Sequence, residues 1–278
     1  MAVNDAQREF WNGKSGQIWV ESQQRLDAMF TPITELAIER CAVQAGERVI
    51  DVGCGCGGTS FALAAQGAAV WGVDISQPMI EHARARAARE DLAGEVAFSV
   101  ADAAVQSYTA DHQLVFSRFG VMFFDDPIAA FTNIRTALSA QGRLVFVCWQ
   151  PPGKNPWMSV AGRAIQPYLP PQETPDPRAP GPFAFADADW VHEILTSAGF
   201  SDLRIDPITP TLKLAQDLDE AMQFQAKVGP LARMLDELDE AGRVKAEAAA
   251  REALSEYLTE DGLFLGSSCW LVSAGASG

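Results

Sequence analysis

A dense set of glycines lies directly after an apolar segment in the first quarter of the chain. Residues 48–52 are typical of a buried strand, residues 53–58 contain four glycines, and residues 59–66 are typical of a helix. Glycines allow a backbone turn to pass close to a ligand, and the N–H groups at the start of a helix attract polar or anionic groups. We therefore expect this turn to bind a ligand rather than only to pack a helix on a sheet.

The glycine spacing fits two kinds of ligand-binding turn. Gly53, Gly55 and Gly58 match G-x-G-x-x-G, which occurs in enzymes that bind nicotinamide or flavin cofactors. When Asp51 and Gly57 are included, the turn also matches the longer pattern D-x-G-x-G-x-G. The glycines alone leave both possibilities open.

Two aspartates lie at the carboxyl ends of the next two predicted strands. Residues 68–74 are predicted to form a second buried strand ending at Asp74, which is 23 residues after Asp51 (74 − 51 = 23). This separation is close to the offset of about 20 residues at which a carboxylate meets a ribose hydroxyl. Asp102 follows a third predicted strand at residues 95–100, where a dehydrogenase needs no acid. Asp102 therefore favours the longer pattern.

The turn that begins at Asp51, together with Asp74 and Asp102, resembles class I S-adenosylmethionine-dependent methyltransferases. The resemblance covers about residues 46–150 and is to small soluble enzymes akin to the ubiquinone and menaquinone biosynthesis methyltransferases. One departure is Cys56, where many relatives have Thr or Ser. The resemblance implies that Asp102 accepts a hydrogen bond from the adenine amino group of S-adenosylmethionine. The expected cofactor-binding residues are Trp11, Trp19, Asp51, Gly53, Cys54, Gly55, Asp74, Ile75, Met79, Ala101, Asp102, Ala103 and Ser117.

The N-terminal residues 1–45 are predicted to form helices that pack on the core. Leu26, Met29 and Phe30 have helical spacing. Trp11 and Trp19 have glycines between them and resemble an N-terminal aromatic pattern that covers the cofactor in many small-molecule methyltransferases. We therefore expect a helical lid over residues 1–45.

The fourth and fifth predicted strands place candidate acceptor-binding residues at their carboxyl ends. Ligands of open α/β sheets bind at this edge, where the sequence has Arg118, Phe119 and Trp149. Aromatic faces and thioethers there would attract a sulfonium cation. Arg118 is expected to bind either a carboxylate of the acceptor or cofactor, or a surface acid such as Asp125.

The alternation of predicted strands and helices predicts a doubly wound, mostly parallel, seven-stranded sheet. Residues 151–186 are rich in proline and glycine and are predicted to be an irregular loop, from which Asn155 and Trp157 could line the acceptor pocket. The predicted domains are a helical lid (1–45), a cofactor-binding core (46–150), this loop (151–186) and a C-terminal part (187–278). The C-terminal part is predicted to complete the sheet, ending in a strand at 263–274, with inserted cap helices at about 215–258.

The composition excludes several classes of partner. The chain of 278 residues has 21 Lys and Arg against 36 Asp and Glu, a net charge of −15, which repels nucleic acids and anionic membranes. Its five cysteines lack zinc-ligand spacing, so we expect a reduced cytoplasmic setting and no metal. Without an apolar leader or a run of about 18 apolar residues, the chain is expected to be a soluble monomer or homodimer.

Methyl transfer to a small, partly apolar molecule, with S-adenosylhomocysteine as product, is the activity that the resemblance implies. The positive sulfur already activates the methyl carbon, so we expect in-line displacement catalysed by alignment and exclusion of water. None of His82, His112 and His192 lies at the carboxyl end of a predicted strand, and we assign no catalytic residue. A nicotinamide- or flavin-dependent oxidoreductase and a non-catalytic S-adenosylmethionine-binding module are the alternatives.

Overall fold

The computed structural model describes residues 4–170, 176–228 and 230–276, which form two compact units. Unit 1 comprises the described residues of Met1–Trp149, Arg178–Ile208 and Cys269–Gly278. Unit 2 comprises those of Gln150–Pro177 and Thr209–Ser268.

The described part of the chain alternates helices and strands along most of its length. The α-helices are α1 (Asp5–Asn12), α2 (Lys14–Glu21), α3 (Gln23–Cys41), α4 (Gly58–Ala64), α5 (Gln77–Ala87), α6 (Pro127–Arg135), α7 (Pro156–Ile165), α8 (Ala188–Ser197), α9 (Leu218–Gln225), α10 (Pro230–Asp236) and α11 (Glu240–Ser255). The strands are β1 (Arg48–Val52), β2 (Ala69–Asp74), β3 (Glu95–Val100), β4 (His112–Arg118), β5 (Leu138–Trp149), β6 (Ser201–Ile208), β7 (Thr211–Ala215), β8 (Leu258–Thr259), β9 (Gly262–Gly266) and β10 (Cys269–Gly275). None of the described helices is both long enough and apolar enough to cross a membrane.

Unit 1 is built on a seven-stranded sheet with the order β3-β2-β1-β4-β5-β10-β6. Strands β1 to β5 pair in parallel, and β10 lies antiparallel between β5 and β6. The predicted doubly wound, mostly parallel sheet is therefore confirmed. This order brings the carboxyl ends of β3, β2, β1 and β4 together along one edge, where such sheets bind ligands.

The central strands are apolar because helices cover both faces of a parallel sheet. In β1, Val49, Ile50 and Val52 are almost completely buried. The α3 helix buries Leu26, Met29, Phe30 and Ile33 at helical spacing, as the sequence predicts. Burial of these apolar side chains, each contributing about 2 kcal/mol, fixes the strand ends that carry the site.

Unit 2 contains a three-stranded sheet with the order β7-β9-β8 and the helices α7, α9, α10 and α11. The predominantly helical pattern predicted at about 215–258 is confirmed by α9, α10 and α11. The role of these helices as a cap remains a prediction.

Two predictions for the second half of the chain are wrong. Residues 151–186 are not an irregular loop throughout, because they contain α7, which begins at Pro156 and buries Trp157, Val160 and Ile165. Proline is tolerated at the start of a helix, and the remaining prolines flank α7. The strand predicted at 263–274 is two strands, since β9 and β10 belong to different sheets.

The junction between α6 and β5 is set by strand pairing. The α6 helix ends at Arg135, and Leu138 begins β5. Leu138 pairs with His112 at the start of β4, and an irregularity in register follows before Leu114 pairs with Arg143.

Candidate active site

The glycine turn between β1 and α4 is shaped by backbone contacts. Gly53, Gly55 and Gly57 have φ values of 67°, 52° and 84°, which favour glycine. The Gly53 N–H donates to the Val73 carbonyl at 2.8 Å. A Cβ atom on Gly53 would lie 2.6 Å from the Cα of Gly120. The turn and the segment after β4 therefore touch through their main chains.

Asp51 lies at the base of this turn and is completely buried. Its Oδ2 accepts hydrogen bonds from the hydroxyls of Thr59 at 2.7 Å and Ser60 at 2.6 Å. Its Oδ1 is buried and has no hydrogen-bond partner among the described residues. Burial raises the pKa of Asp51 to about 6, against the lowering effect of the two hydroxyls and of Arg118. The free oxygen is an acceptor available to a ligand.

Arg118 ends β4 with a side chain that is 15% exposed. Its Nη1 donates to the Thr34 hydroxyl at 2.5 Å, and its Nη2 is 4.0 Å from Asp27. Burial lowers the pKa of the guanidinium, which Asp27 and Asp51 partly offset. The acid near Arg118 is thus Asp27 and not Asp125, which instead bonds Asn4.

Asp27 also belongs to a cavity of about 670 Å³. The Asp27 carboxylate bonds Gln23 at 2.5 Å and forms an ion pair with Arg86 at 3.0 Å. Asp27 lies closer to Gln23 and Arg86 than to Arg118, so it neutralises the positive charge of Arg118 only in part. Arg118 can therefore bind a further anionic group. The cavity is lined by α3 residues and by Gly58, Ala62, Arg86 and Arg118.

Asp74 ends β2 and organises the next loop. Its Oδ2 accepts from the Gly55 N–H at 2.9 Å and its Oδ1 from the Ser76 N–H at 2.8 Å. Burial raises the pKa of this carboxyl, and the backbone donors lower it. An ionised carboxylate accepts about four hydrogen bonds, so after the N–H groups of Ser76, Gly55 and Ile75 it keeps acceptor capacity for a ligand hydroxyl. Met79 packs nearby, with its sulfur 3.6 Å from the Cβ position of Gly55.

Asp102 follows β3, and its carboxylate is covered by the N-terminal segment. The Asn4 Nδ2 lies 3.0 Å from both carboxylate oxygens. The Ala104 N–H donates to Oδ1 at 3.0 Å, and Arg8 lies 3.6 Å from Oδ2. Beside it, the Ala101 N–H donates to the Asp74 carbonyl at 2.9 Å.

The first helix is attached to the loop after β2. The Ser76 hydroxyl donates to the Trp11 carbonyl at 2.7 Å, and the Asn12 side chain bonds the Ile75 carbonyl at 2.9 Å. The ring of Trp11 makes edge contacts with Trp19 at 5.7 Å and Phe123 at 5.4 Å. The two tryptophans are therefore brought together beside Asp74.

Aromatic rings meet at the carboxyl ends of β4 and β5. Phe119 and Trp149 stack with their centroids 4.0 Å apart and their planes at 10°. Phe30 of α3 contacts both rings, at 5.5 and 5.9 Å. Phe119 has a φ of 67°, an unfavourable conformation for an aromatic residue, which its N–H bond to the Val147 carbonyl holds.

Comparison with known proteins finds similar methyltransferases. A family model for a methyltransferase domain matches residues 49–142. Aklanonic acid methyltransferase DauC of Streptomyces sp. (strain C5) is 32% identical over 151 residues, 52% of this chain and 63% of that protein. Methyltransferase GfsG of Streptomyces halstedii is 42% identical over 80 residues, 28% of this chain and 29% of that protein. The chain thus spans less than two thirds of either relative.

The fold is also found in solved structures. Phosphoethanolamine N-methyltransferase 2 of Haemonchus contortus, in complex with S-adenosyl-L-methionine, matches 96% of this chain and 59% of its own, with a TM-score of 0.57 and 16% identity. The YcgJ protein from Bacillus subtilis matches 88% of this chain and 98% of its own, with a TM-score of 0.56 and 15% identity. The matched family model and the shared fold make this chain similar to S-adenosylmethionine-dependent methyltransferases.

The described residues fit S-adenosylmethionine on two observations. The buried Asp51 Oδ1 lacks a partner among the described residues, and the cofactor carries an ammonium group that could supply one. The main chain at Gly53 leaves no room for a side chain but can lie against a ligand. The described residues contain no cluster that could hold a metal ion.

Three of the expected site residues, Ser117, Ala103 and Cys54, have structural roles. The Ser117 hydroxyl donates to the Val52 carbonyl at 2.7 Å and accepts from the Gly120 N–H at 3.2 Å, so it joins β4 to β1. The Ala103 carbonyl accepts from the Tyr108 hydroxyl. Cys54 is buried, and burial raises the pKa of its thiol well above the usual range. These residues shape the edge rather than offer side chains to it.

Asn155 and Trp157 lie in unit 2, whereas the other candidates lie in unit 1. Asn155 is completely buried, and its side chain bonds the Gln150 carbonyl and both backbone groups of Ser268 at 2.9 to 3.1 Å. Because these bonds use its polar atoms, we withdraw Asn155 from the acceptor site. Trp157 remains a candidate.

The sequence analysis missed residues that contact the candidate site. Asn4, Asp27 and Thr34 each bond a predicted site residue or a neighbour of one. A polar i, i+4 pair, Gln23 and Asp27, beside the apolar face of α3 was the available signal for Asp27. Asn4 had no such signal, because a single asparagine before a helix usually caps it.

Proposed function

We propose that this protein transfers the methyl group of S-adenosylmethionine to a small, partly apolar acceptor, releasing S-adenosylhomocysteine. The observation that carries the proposal is the row of three carboxylates at the ligand edge. Asp102 follows β3, Asp74 ends β2 and Asp51 lies in β1, and these three strands are successive neighbours in the sheet. A row of acceptors beside a glycine turn suits a long cofactor with several donor groups.

Each acid takes one part of the cofactor in this proposal. Asp102 accepts from the adenine amino group, and Asp74 uses its remaining acceptor capacity to bind the ribose. The amino-acid end lies over Asp51, whose free Oδ1 accepts from the α-ammonium group. The other expected contacts are the turn residues, Trp11, Trp19, Ile75 and Met79.

Arg118 is assigned to the α-carboxylate of the cofactor. Its guanidinium and the Asp51 carboxylate are opposite charges on neighbouring strands, and each influences the pKa of the other. No ion pair joins them among the described residues, and each has only partial pairing elsewhere. A zwitterionic amino-acid group satisfies both charges at once.

The chain contributes alignment and a dry environment to the reaction. The bound cofactor supplies an activated methyl group, so the protein must hold it in line with the acceptor. Phe119, Trp149 and Phe30 provide an apolar surface that excludes water beside Arg118. His112 begins β4, at the opposite edge from the site, and His82 bonds Gln23. We therefore assign no general base.

The acceptor class is inferred from the apolar surface and from the relatives. The names aklanonic acid methyltransferase and phosphoethanolamine N-methyltransferase indicate small molecules as acceptors of those proteins. A net charge of −15 disfavours a nucleic acid. The odd number of cysteines, five in all and each of them buried, favours a reducing, cytoplasmic setting, in which we propose a monomer or homodimer.

Calorimetry with S-adenosylmethionine, S-adenosylhomocysteine, NADH and NADPH tests the proposal. We expect micromolar binding of the first two ligands and none of the nicotinamides. Asp74→Ala should weaken S-adenosylhomocysteine binding by about 10-fold or more, the cost of losing a buried hydrogen-bond partner. Asp111→Ala, at the opposite edge of the sheet, is the matched control and should bind normally. Binding of nicotinamides alone would replace the proposal with an oxidoreductase.

Turnover with small acceptors separates an enzyme from a binding module. The library should include aromatic acids, phenols and amines, and the readout is S-adenosylhomocysteine release. Tight cofactor binding with no turnover of any acceptor would favour a non-catalytic module.

A further inference from the structure

The adenine-binding position proposed above is closed by the protein's own chain. The Asp102 side chain is only 3% exposed. The Asn4 Nδ2 group donates to both carboxylate oxygens, and the Ala104 N–H donates to Oδ1. Arg8 lies 3.6 Å from Oδ2. Asn4 and Ala104 supply three of the about four hydrogen bonds that a carboxylate accepts, so with Arg8 beside it the carboxylate is covered and largely satisfied before an adenine amino group approaches.

The Asn4 side chain has the hydrogen-bonding pattern of a base edge. Its Nδ2 donates to Asp102, and its Oδ1 accepts from the Asp125 N–H at 2.9 Å. An adenine edge likewise presents an amino donor next to a ring-nitrogen acceptor. Asn4 is 3% exposed, and its own N–H donates to the Asp125 carboxylate at 2.7 Å. A short polar side chain is thus inserted where the base is expected.

We propose that Asn4 is an internal ligand of the adenine position, and that adenine must displace its side chain from Asp102. This inference rests on the assignment of Asp102 to adenine in the proposed function. In the closed state the protein competes with its own cofactor, and the measured affinity is lowered by the fraction of molecules that are closed.

The displacement involves only the first turn of α1. Beyond it, Asn12 bonds the Ile75 carbonyl and the Gln77 N–H, and Trp11 accepts from Ser76. These bonds do not involve Asp102 and are kept when Asn4 leaves. The C-terminal half of α1 therefore acts as a hinge that holds the segment near the site.

Calorimetric binding of S-adenosylhomocysteine to Asn4→Ala tests the inference by the sign of the change. We expect the Kd to fall at least fivefold relative to the unmodified protein, because the competing side chain is gone. Asn4→Asp, which cannot donate to Asp102 and is repelled by it, should also lower the Kd. Asn12→Ala, which alters α1 without touching Asp102, should not lower it.

The outcomes separate the inference from the proposed function. An unchanged or higher Kd in Asn4→Ala would place Asn4 in the cofactor-bound site and overturn the inference, as would equal tightening in Asn12→Ala. If the unmodified protein binds neither S-adenosylmethionine nor S-adenosylhomocysteine, it is the proposed function that fails.

Hydrogen exchange on the unmodified protein gives a test that requires no variant. We expect amides of residues 5–9 to exchange faster when S-adenosylhomocysteine is bound, while amides in α2 keep their protection. Slower exchange at residues 5–9 on binding would contradict displacement of the first turn.

Discussion

The proposed cofactor site has an adenine end at Asp102 and an amino-acid end at Asp51, and the carboxylates at the two ends differ in how fully they are hydrogen-bonded within the protein. At the adenine end, Asp102 is covered by Asn4 and Arg8 from the N-terminal segment. At the amino-acid end, Asp51 keeps a buried oxygen without a partner among the described residues, and Arg118 has incomplete pairing. In the proposed binding mode, the Asp102 end must be opened before the cofactor enters, whereas the Asp51 end is already arranged for it. In this proposal, the Asp102 end regulates access of the cofactor, and the Asp51 end provides binding affinity.

The largest effect is expected at the amino-acid end. Arg118→Met should weaken S-adenosylhomocysteine binding by about 100-fold, because a charge-assisted bond of about 1.5–3 kcal/mol is lost. 5′-Methylthioadenosine lacks the amino-acid end, so its affinity should change by less than about threefold. Calorimetry with both ligands gives the comparison, and Arg48→Met at the opposite edge is the control. An equal loss for both ligands would mean that Arg118 does not distinguish the two ends.

A second prediction concerns the backbone at the amino-acid end. Gly53→Ala should lower the free energy of unfolding by about 3 kcal/mol, from the positive φ and from a Cβ lying 2.6 Å from Gly120 Cα. Gly46→Ala has a similar φ of 84° but nothing within 4 Å, so it should cost only about 1 kcal/mol. Urea denaturation measures both. Equal costs would show that the turn can move away from Gly120.

A third prediction uses the pKa of Asp51, which burial raises to about 6. The cofactor's ammonium group requires the ionised carboxylate, so binding below pH 6 must first remove a proton. The affinity for S-adenosylhomocysteine should therefore rise about tenfold from pH 5 to pH 7 and then level off. Calorimetry at several pH values measures this dependence. Asp51→Asn, and 5′-methylthioadenosine with the unmodified protein, should lack it; a persisting slope in either would assign the proton elsewhere.

The smallest effect is expected far from both ends. His112 lies at the amino end of β4, where burial lowers the pKa of its imidazole and Asp111 opposes that change. His112→Ala should change S-adenosylhomocysteine affinity and turnover by less than twofold. A large loss of turnover in a folded variant would mean that the chemistry does not lie at the carboxyl edge.

The position of Asp51 beside the glycine turn was predictable from sequence, whereas the side chains that cover Asp102 were not. Asp51 and the glycines are adjacent in the chain, so strand pattern and turn chemistry predict their location. The Asn4 contact joins residues 98 positions apart, and the Thr34 contact with Arg118 spans 84. Such pairs depend on how α1 and α3 pack, which local pattern does not specify.

The α7 helix shows that proline content alone does not predict a loop. Prolines at 151, 152, 156, 167 and 170 predict a loop, yet Pro156 starts a helix because its ring suits the first turn. The apolar spacing of Trp157, Val160 and Ile165 carried the correct signal. Periodicity was therefore the better guide than proline content.

The main-chain contact between Gly53 and Gly120 has a consequence for redesign of this protein. A Cβ on Gly120 would lie 2.7 Å from the Val52 carbonyl, so neither strand end can accept a side chain. Gly53 and Gly120 are therefore poor positions for mutation, and changes in acceptor preference must be introduced at side chains around the site. Phe119 and Trp149 are the first positions to vary in a library, with the two glycines kept fixed.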